Sequence, residues 1–268
     1  MHVDLSGAPQ TMLATLYAKA LDADFDNPVL GDRYAKEILE RIDYDWKKTA
    51  ITPRTSPSVT TRTAHFDNWA REFLSAHPEA VVLHLGCGLD SRFFRLAPGP
   101  GVEWYDVDYP DVAALRNQLF PAREHYHVVA ASVTDPGWLA DVPADRPTLM
   151  IAEGLTMYLT EEDGVALLRR VVEHAPSGEL QFDAFNRLGI KSQWINAVVR
   201  RSGSTLHWGI DGPDDVIEAV SAVRLLSWLS PFESATFTDI AWYYRVMAKV
   251  MSPVPALRYM AQYHRYAF

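Results

Sequence analysis

The chain has 268 residues, 48% hydrophobic and 22% charged, a composition that supports a sizeable core and excludes disorder as the dominant state. Its formal charge of −9 sets the surface against phosphate backbones and anionic bilayers, so neither nucleic acid nor membrane is an expected partner. The single cysteine, Cys87, leaves no intrachain disulfide, and there is neither a leader-like start nor a run of about 18 apolar residues, so the expected compartment is the cytoplasm.

In chain order, the first part reads as helices. Met12, Leu13, Leu16, Tyr17, Ala20 and Leu21 recur at helical spacing, and a second helix is expected from about Asp32 to Ile42. Thr52 to Pro57 holds two prolines and reads as a loop, followed by a third helix to about Ala76. On that helix Arg62, Phe66, Trp69 and Phe73 share one face. An arginine on a core-facing stripe needs an anionic partner, either an internal carboxylate or one belonging to a ligand.

After Pro78 the pattern changes to short apolar strands separated by crossover segments: Val81–Gly86, Glu103–Asp108, Tyr126–Ala131, Thr148–Ala152 and Glu179–Phe185. This order predicts a parallel sheet with helices on both faces. Asp135-Pro136 reads as an N-cap followed by an N1 proline, and Thr160 to Asp163 as a capping box that starts a helix near Glu161. The paired arginines Arg169-Arg170 and Arg200-Arg201 read as solvated helix faces. From Arg187 a helix is expected through Val199, then a polar, aromatic loop around His207-Trp208. Arg224–Leu229 is a sixth strand, Thr238 to Met251 a helix, and Tyr263–Phe268 a terminal strand, the two late strands suiting an antiparallel closing pair.

Chemistry gathers at the carboxyl ends of these strands. The first strand runs into Gly86-Cys87-Gly88, where glycine lets backbone approach a ligand that any Cβ would obstruct. A tight βα turn with no ligand explains the same residues, and the third glycine of a dinucleotide fingerprint is missing from Leu89-Asp90-Ser91, which favours a nucleoside over a dinucleotide. Asp108 ends the second strand roughly 20 residues after Gly88, the spacing at which a carboxylate accepts both hydroxyls of a ribose; Asp106 shares its side by strand alternation. Ser132 and Val133 follow the third strand. Glu153 follows the fourth, beside the same crevice, where it is either a loop charge or a partner for a cationic ligand.

Together these pieces resemble the leucine carboxyl methyltransferase family, in its bacterial branch of polyketide O-methyltransferases. The carrying motifs are Thr61-Arg62-Thr63 with Phe66-Asp67, the run Leu85 to Arg92, Asp106-Val107-Asp108-Tyr109-Pro110, and the run Glu153 to Leu159. The resemblance implies one class I methyltransferase domain: a Rossmann-like α/β fold with a mostly parallel seven-stranded sheet and an N-terminal helical extension. Within it, residues 1–77 would form a helical cap, 78–185 the core binding S-adenosylmethionine (SAM), and 186–268 the acceptor-pocket region and closing strands. It also implies that Arg62 holds the methionine carboxylate of SAM, Gly86 and Gly88 pass close to the ligand, Asp108 binds the ribose, Ser132 and Val133 flank adenine, and Glu153 lines the methionyl end. Two residues depart from the common pattern: His84 stands where many class I enzymes have an acid, and Ser132 where relatives often have aspartate.

The expected activity is SAM-dependent O-methylation of a carboxylate or hydroxyl on a small molecule, in polyketide or other natural-product metabolism, with no metal. A carboxylate acceptor is already ionised and needs no base, whereas a hydroxyl needs one; His207, Asp183 and His65 are the candidates, with His207 favoured. Tyr17, Tyr158 and Trp208 are candidates for the acceptor pocket. The alternatives are an NAD(P)-dependent oxidoreductase on a Rossmann fold and a SAM-binding protein without catalysis.

Overall fold

A computed structural model describes residues 8–237 and 242–268. Three helices come first. α1 (Ala8–Asp22) and α2 (Arg33–Arg41) lead, with Asp32 capping α2 by accepting the Ala35 N–H at 3.0 Å. α3 (Pro57–Ala76) follows; it begins at Pro57, expected as the end of the loop, which instead occupies the first turn, where its missing N–H costs nothing. The central chain then alternates β1 (Val81–Leu85), α4 (Arg92–Leu96), β2 (Glu103–Asp108), α5 (Pro110–Leu119), β3 (Tyr126–Ala130), β4 (Thr148–Ala152), α6 (Glu161–His174) and β5 (Gly178–Phe185).

The C-terminal part holds α7 (Arg187–Lys191), α8 (Ala197–Ser202), α9 (Pro213–Ala219), β6 (Arg224–Leu229), α10 (Trp242–Met251), α11 (Pro255–Arg258) and β7 (Ala261–Ala267). The seven strands form one sheet in the order β3-β2-β1-β4-β5-β7-β6. The first five are parallel, and β7 runs antiparallel to both β5 and β6. This is the expected mostly parallel sheet with its closing antiparallel pair.

Strand alternation splits the core in two. Val81, Leu83, Leu85, Met150, Leu180 and Phe182 pack on one face against Leu167, Leu168 and Val171 of α6. Val82, Trp104, Leu149 and Ile151 pack on the other against Phe66, Trp69 and Phe73 of α3. His84 and Asp106 follow the parity of Val82 and Trp104, so they lie on the α3 side, buried among charged groups rather than at the surface. α1 packs its Met12, Leu13 and Leu16 onto Leu89 and onto Val112 and Leu115 of α5, which lays it over the end of β1. The strand order reverses at β1, which has β2 on one side and β4 on the other; that is the switch point where open α/β sheets form a ligand crevice. Among the described residues, no helix is long and apolar enough to cross a membrane.

Two local expectations are corrected, and a third is met over the residues described. No helix starts at Asp135-Pro136: the β3–β4 connection runs through turns, and the Asp135 carboxylate instead accepts the Gly137 N–H at 2.8 Å. With Gly137 next and prolines at 143 and 147, the segment lacks a helix-compatible run. The single helix expected from Arg187 through Val199 is broken at residues 192–196, because the Asn196 side chain accepts the N–H groups of Val198 (3.0 Å) and Val199 (3.3 Å) and so starts a new helix. The late helix is described from Trp242 onward; residues 238–241 of the expected span lie outside the described residues.

Candidate active site

β1 delivers the chain into Gly86 and Gly88, whose φ values of +60° and +50° are left-handed conformations that side chains disfavour. A Cβ on Gly88 would lie 2.9 Å from the Met12 Cβ, so glycine is what lets α1 close over this bend. Arg116 of α5 is fully buried beneath it. It donates from Nη1 to the Gly88 carbonyl (2.9 Å) and from Nη2 to the Asp90 carbonyl (2.7 Å), and its charge is met by Asp106. Burial works to raise the Asp106 carboxyl, but Arg116 and the hydrogen bond from His84 hold it down at about 2.

Asp108, at the end of β2, accepts the Gly88 N–H at 2.7 Å and the Tyr109 N–H at 2.8 Å. Burial pushes its carboxyl above the ordinary range, and the two backbone donors oppose that shift without cancelling it. A carboxylate has about four acceptor positions, so two more donors can be accommodated and would stabilise its charge.

An ionic cluster lies beside the bend. Glu153 accepts Arg62 Nε at 2.9 Å and the Thr63 hydroxyl at 2.8 Å through Oε1, and pairs with Arg92 Nη2 through Oε2. Burial works against its charge, yet Arg92 and Arg62 hold it well below the usual carboxylate range. Arg62 Nη1 also meets Asp183 at 2.9 Å, and Asp183 accepts the Gly154 N–H at 2.6 Å. Burial pushes Asp183 up, though Arg62 pulls it down. Arg92 continues to Asp67 at 2.8 Å, and Lys19 of α1 meets Asp90 at 2.9 Å.

These groups border one cavity of about 280 Å³ at the carboxyl edge of β1, β2 and β4. All seven residues expected to bind cofactor (Arg62, Gly86, Gly88, Asp108, Ser132, Val133 and Glu153) line it, as does Tyr158. The other acceptor and base candidates do not. His207 is exposed, outside the cavity lining, with its backbone N–H given to Met157 O at 2.8 Å. Trp208 is core, packed over Gly164, and Tyr17 stacks on Trp46. His65 is packed against Trp69 and Tyr263 and bonded to Ser234, away from the lining, and burial lowers it to about 4. Asp183 is committed to Arg62 and Gly154.

The cavity also takes residues that the sequence reading passed over: Thr11, Met12, Thr15 and Lys19 from α1, and Ser204 and Thr205 from the segment after α8. Lys19 carried a signal. Met12, Leu16 and Lys19 fall at helical spacing on one face, so the reasoning applied to Arg62 applies equally to this lysine.

The residues present fit SAM. The cavity's charged lining comprises Lys19, Arg62, Asp90, Asp108 and Glu153, one negative charge in excess. SAM at neutral pH carries a sulfonium, an ammonium and a carboxylate, one positive charge in excess. Asp108 retains acceptor positions for a diol, and the Nη2 of Arg62 is engaged by neither Glu153 nor Asp183.

Comparison with known proteins agrees with this fit. The family profile described as "Leucine carboxyl methyltransferase" matches residues 10–172. The chain is 42% identical over 266 residues to the tetracenomycin polyketide synthesis O-methyltransferase TcmP of Streptomyces glaucescens, covering 99% of this chain and 98% of that one. It is 37% identical over 243 residues to the S-adenosyl-L-methionine-dependent methyltransferase dpfgK of Gibberella zeae, covering 83% and 82%. Among solved structures, a DUF574-family protein from Streptomyces avermitilis superposes with a TM-score of 0.60 at 16% identity over 94% of this chain and 96% of that one. The cyclopropane synthase MmaA2 from Mycobacterium tuberculosis does so with 0.51 at 12% over 99% of each. These structural likenesses concern the fold.

Proposed function

The chain belongs to the leucine carboxyl methyltransferase family and is a SAM-dependent methyltransferase, and on that premise we propose that it methylates the carboxylate of a small molecule in natural-product metabolism. The bound cofactor supplies an electrophilic methyl group on sulfur. Asp108 grips the ribose hydroxyls, Gly86 and Gly88 admit the ligand against backbone, and Ser132 and Val133 flank adenine. Arg62, through its uncommitted Nη2, and Lys19 meet the methionine carboxylate, while Glu153 faces the ammonium. The single functional domain divides as the sequence suggests: a cap over residues 1–77, a cofactor core over 78–185 and an acceptor region over 186–268. The lone cysteine and the acidic charge support a cytoplasmic enzyme without nucleic-acid or membrane partners.

The observation that carries the carboxylate reading is the lack of an idle base. Among the described residues lining the cavity, Asp90 and Glu153 are bound to cations, Asp108 to two N–H groups, and His84 is bonded on both ring nitrogens. Burial pushes the Tyr158 phenol up, which suits a donor rather than a base. A hydroxyl acceptor would have to lose its proton, whereas a carboxylate arrives ionised. The chain's work is then orientation and exclusion of water. The relative named for tetracenomycin polyketide synthesis supports an acceptor from that kind of metabolism.

The test is turnover of SAM with a panel of aromatic carboxylates and matched phenols, followed by mild alkali. Methyl esters hydrolyse and methyl ethers survive. We expect alkali-labile product from the carboxylates; alkali-stable product made from the phenols alone would overturn the reading.

A further inference from the structure

His84 is one of the two residues that depart from the common class I pattern, and its surroundings give it a specific task. Its Nδ1 lies 2.8 Å from Asp106 Oδ1, and its Nε2 lies 3.1 Å from Arg92 Nη1. Asp106 is a fully buried carboxylate whose two oxygens also accept from Trp104, Tyr126 and Arg116, so it receives a proton donor from His84. Arg92 has donors only. The ring must therefore carry its proton on Nδ1 and present a bare Nε2 to the guanidinium.

Arg92 is fully buried and hydrogen-bonds three groups: Asp67 through Nε at 2.8 Å, His84 through Nη1, and Glu153 through Nη2. It fixes one oxygen of Glu153 while Arg62 and Thr63 fix the other. An acid at position 84 would stand against Asp106 and within reach of Asp90, whose Oδ2 is 3.8 Å from Nε2. Like charges that close and that buried are costly. A neutral imidazole instead turns the carboxylate behind it into an acceptor in front.

We propose that His84 is a positioning residue that aims Arg92, and through it the Glu153 carboxylate, at the cationic end of the bound cofactor. The inference rests on the cofactor placement proposed above. It differs from a packing role because it assigns the function to one ring nitrogen.

Two isosteric variants separate the nitrogens. The amide of H84Q reaches the Nε2 position and can accept from Arg92; the amide of H84N reaches the Nδ1 position and can only serve Asp106. Calorimetric titration with S-adenosylhomocysteine, with KM and kcat measured alongside, should show H84Q within about threefold of wild type. H84N should bind roughly tenfold or more weakly, the effect expected from losing one hydrogen bond to a charged group. The loss should appear in KM for SAM more than in kcat, with KM for the acceptor unchanged. Equal behaviour of the two variants, or H84N outperforming H84Q, overturns the proposal.

A wild-type protein that fails to bind S-adenosylhomocysteine removes the cofactor placement, and this inference with it. Binding by wild type with no split between the variants removes the inference alone. If H84N does not fold, nitrogen NMR of ¹⁵N-histidine protein decides, with H84Q identifying the signal. An Nδ1–H, Nε2-bare ring at neutral pH is expected, and an Nε2–H or doubly protonated ring refutes the role.

Discussion

Asp108→Asn is the sharpest probe of the cofactor reading, because it removes one charge and half the acceptor capacity at nearly constant volume. In the protein the carboxylate already accepts Gly88 N–H at 2.7 Å and Tyr109 N–H at 2.8 Å. Two further acceptor positions would serve a ribose diol. The asparagine has one oxygen, and its NH₂ must face either a backbone N–H or a sugar hydroxyl. A hydrogen bond to a charged group contributes about 1.5–3 kcal/mol, and a neutral replacement recovers part of that. Losing one diol bond and weakening the other therefore costs about 3–4 kcal/mol of ligand binding, or roughly a hundredfold to a thousandfold in Kd.

The same substitution should do little to the empty fold. Burial already holds the Asp108 carboxyl above its ordinary pKa, so the folded chain gives up an unfavourable charge, while the amide meets one of the two N–H groups less well. These effects oppose each other, and for a chain of this size each ~1 kcal/mol moves Tm by only about 2–4 °C. The assay is titration with S-adenosylhomocysteine together with thermal unfolding, with and without ligand. The expected result is a near-normal Tm without ligand, and loss of most of the ligand-induced increase. A folded variant that binds within about threefold of wild type would show that the diol is held elsewhere.

Gly88→Ala should destabilise the fold itself: a left-handed φ of +50° costs an alanine about 1–2 kcal/mol, and its Cβ would sit 2.9 Å from that of Met12, adding about 1–3 kcal/mol of overpacking. Chemical denaturation should register at least ~2 kcal/mol, and a loss under ~0.5 kcal/mol would mean that α1 does not close on the bend as described. A further prediction concerns His264, fully buried and stacked on Phe182, which burial lowers from 6.5 to about 3. Its folded pKa is depressed, so the unfolded chain takes the proton first; stability is fully present above pH 6.5 and is lost at up to ~1.4 kcal/mol per pH unit as pH falls toward 3. His65, lowered to about 4, adds a parallel loss over the upper part of that window. His264→Phe should roughly halve the slope of stability against pH between 6 and 5, and an unchanged slope would refute the assignment.

What could be read in the sequence followed from periodicity and from residues whose chemistry has few uses. β1, β4 and β5 announce themselves as apolar runs because they are largely buried on both faces, whereas β3 is a partly exposed edge strand; the glycine bend, Asp108 and Glu153 stand at strand ends by spacing alone. Arg116 could not be read this way. It lies next to Leu115 on α5, and its carboxylate and carbonyl partners come from β2 and the bend, so only folding brings them together. The C-terminal third misled for a related reason. The break between α7 and α8 is decided by the Asn196 cap, whose side chain accepts the N–H groups of Val198 and Val199. A polar residue within a helix-like stretch does not by itself reveal which alternative it will support.

The ionic cluster beneath the cavity is poorly explained as a device for stability. Arg92 and Arg116 are fully buried, as are Asp67 and Asp106, and burying such ions costs several kcal/mol each before their pairing returns it. Well-packed hydrocarbons of similar volume would hold α4 and α5 on the sheet as well or better. They could not hold the Gly88 and Asp90 carbonyls from below, or fix both oxygens of Glu153 from two sides. Those constraints all bear on the walls of one cavity, and they set the direction of charged and polar atoms rather than the separation of elements. A ligand with a sulfonium, an ammonium, a carboxylate and a diol requires each of its groups to be met in place. An aqueous rim would re-solvate any group that moved, whereas buried partners with no alternative acceptors keep their geometry before the ligand arrives.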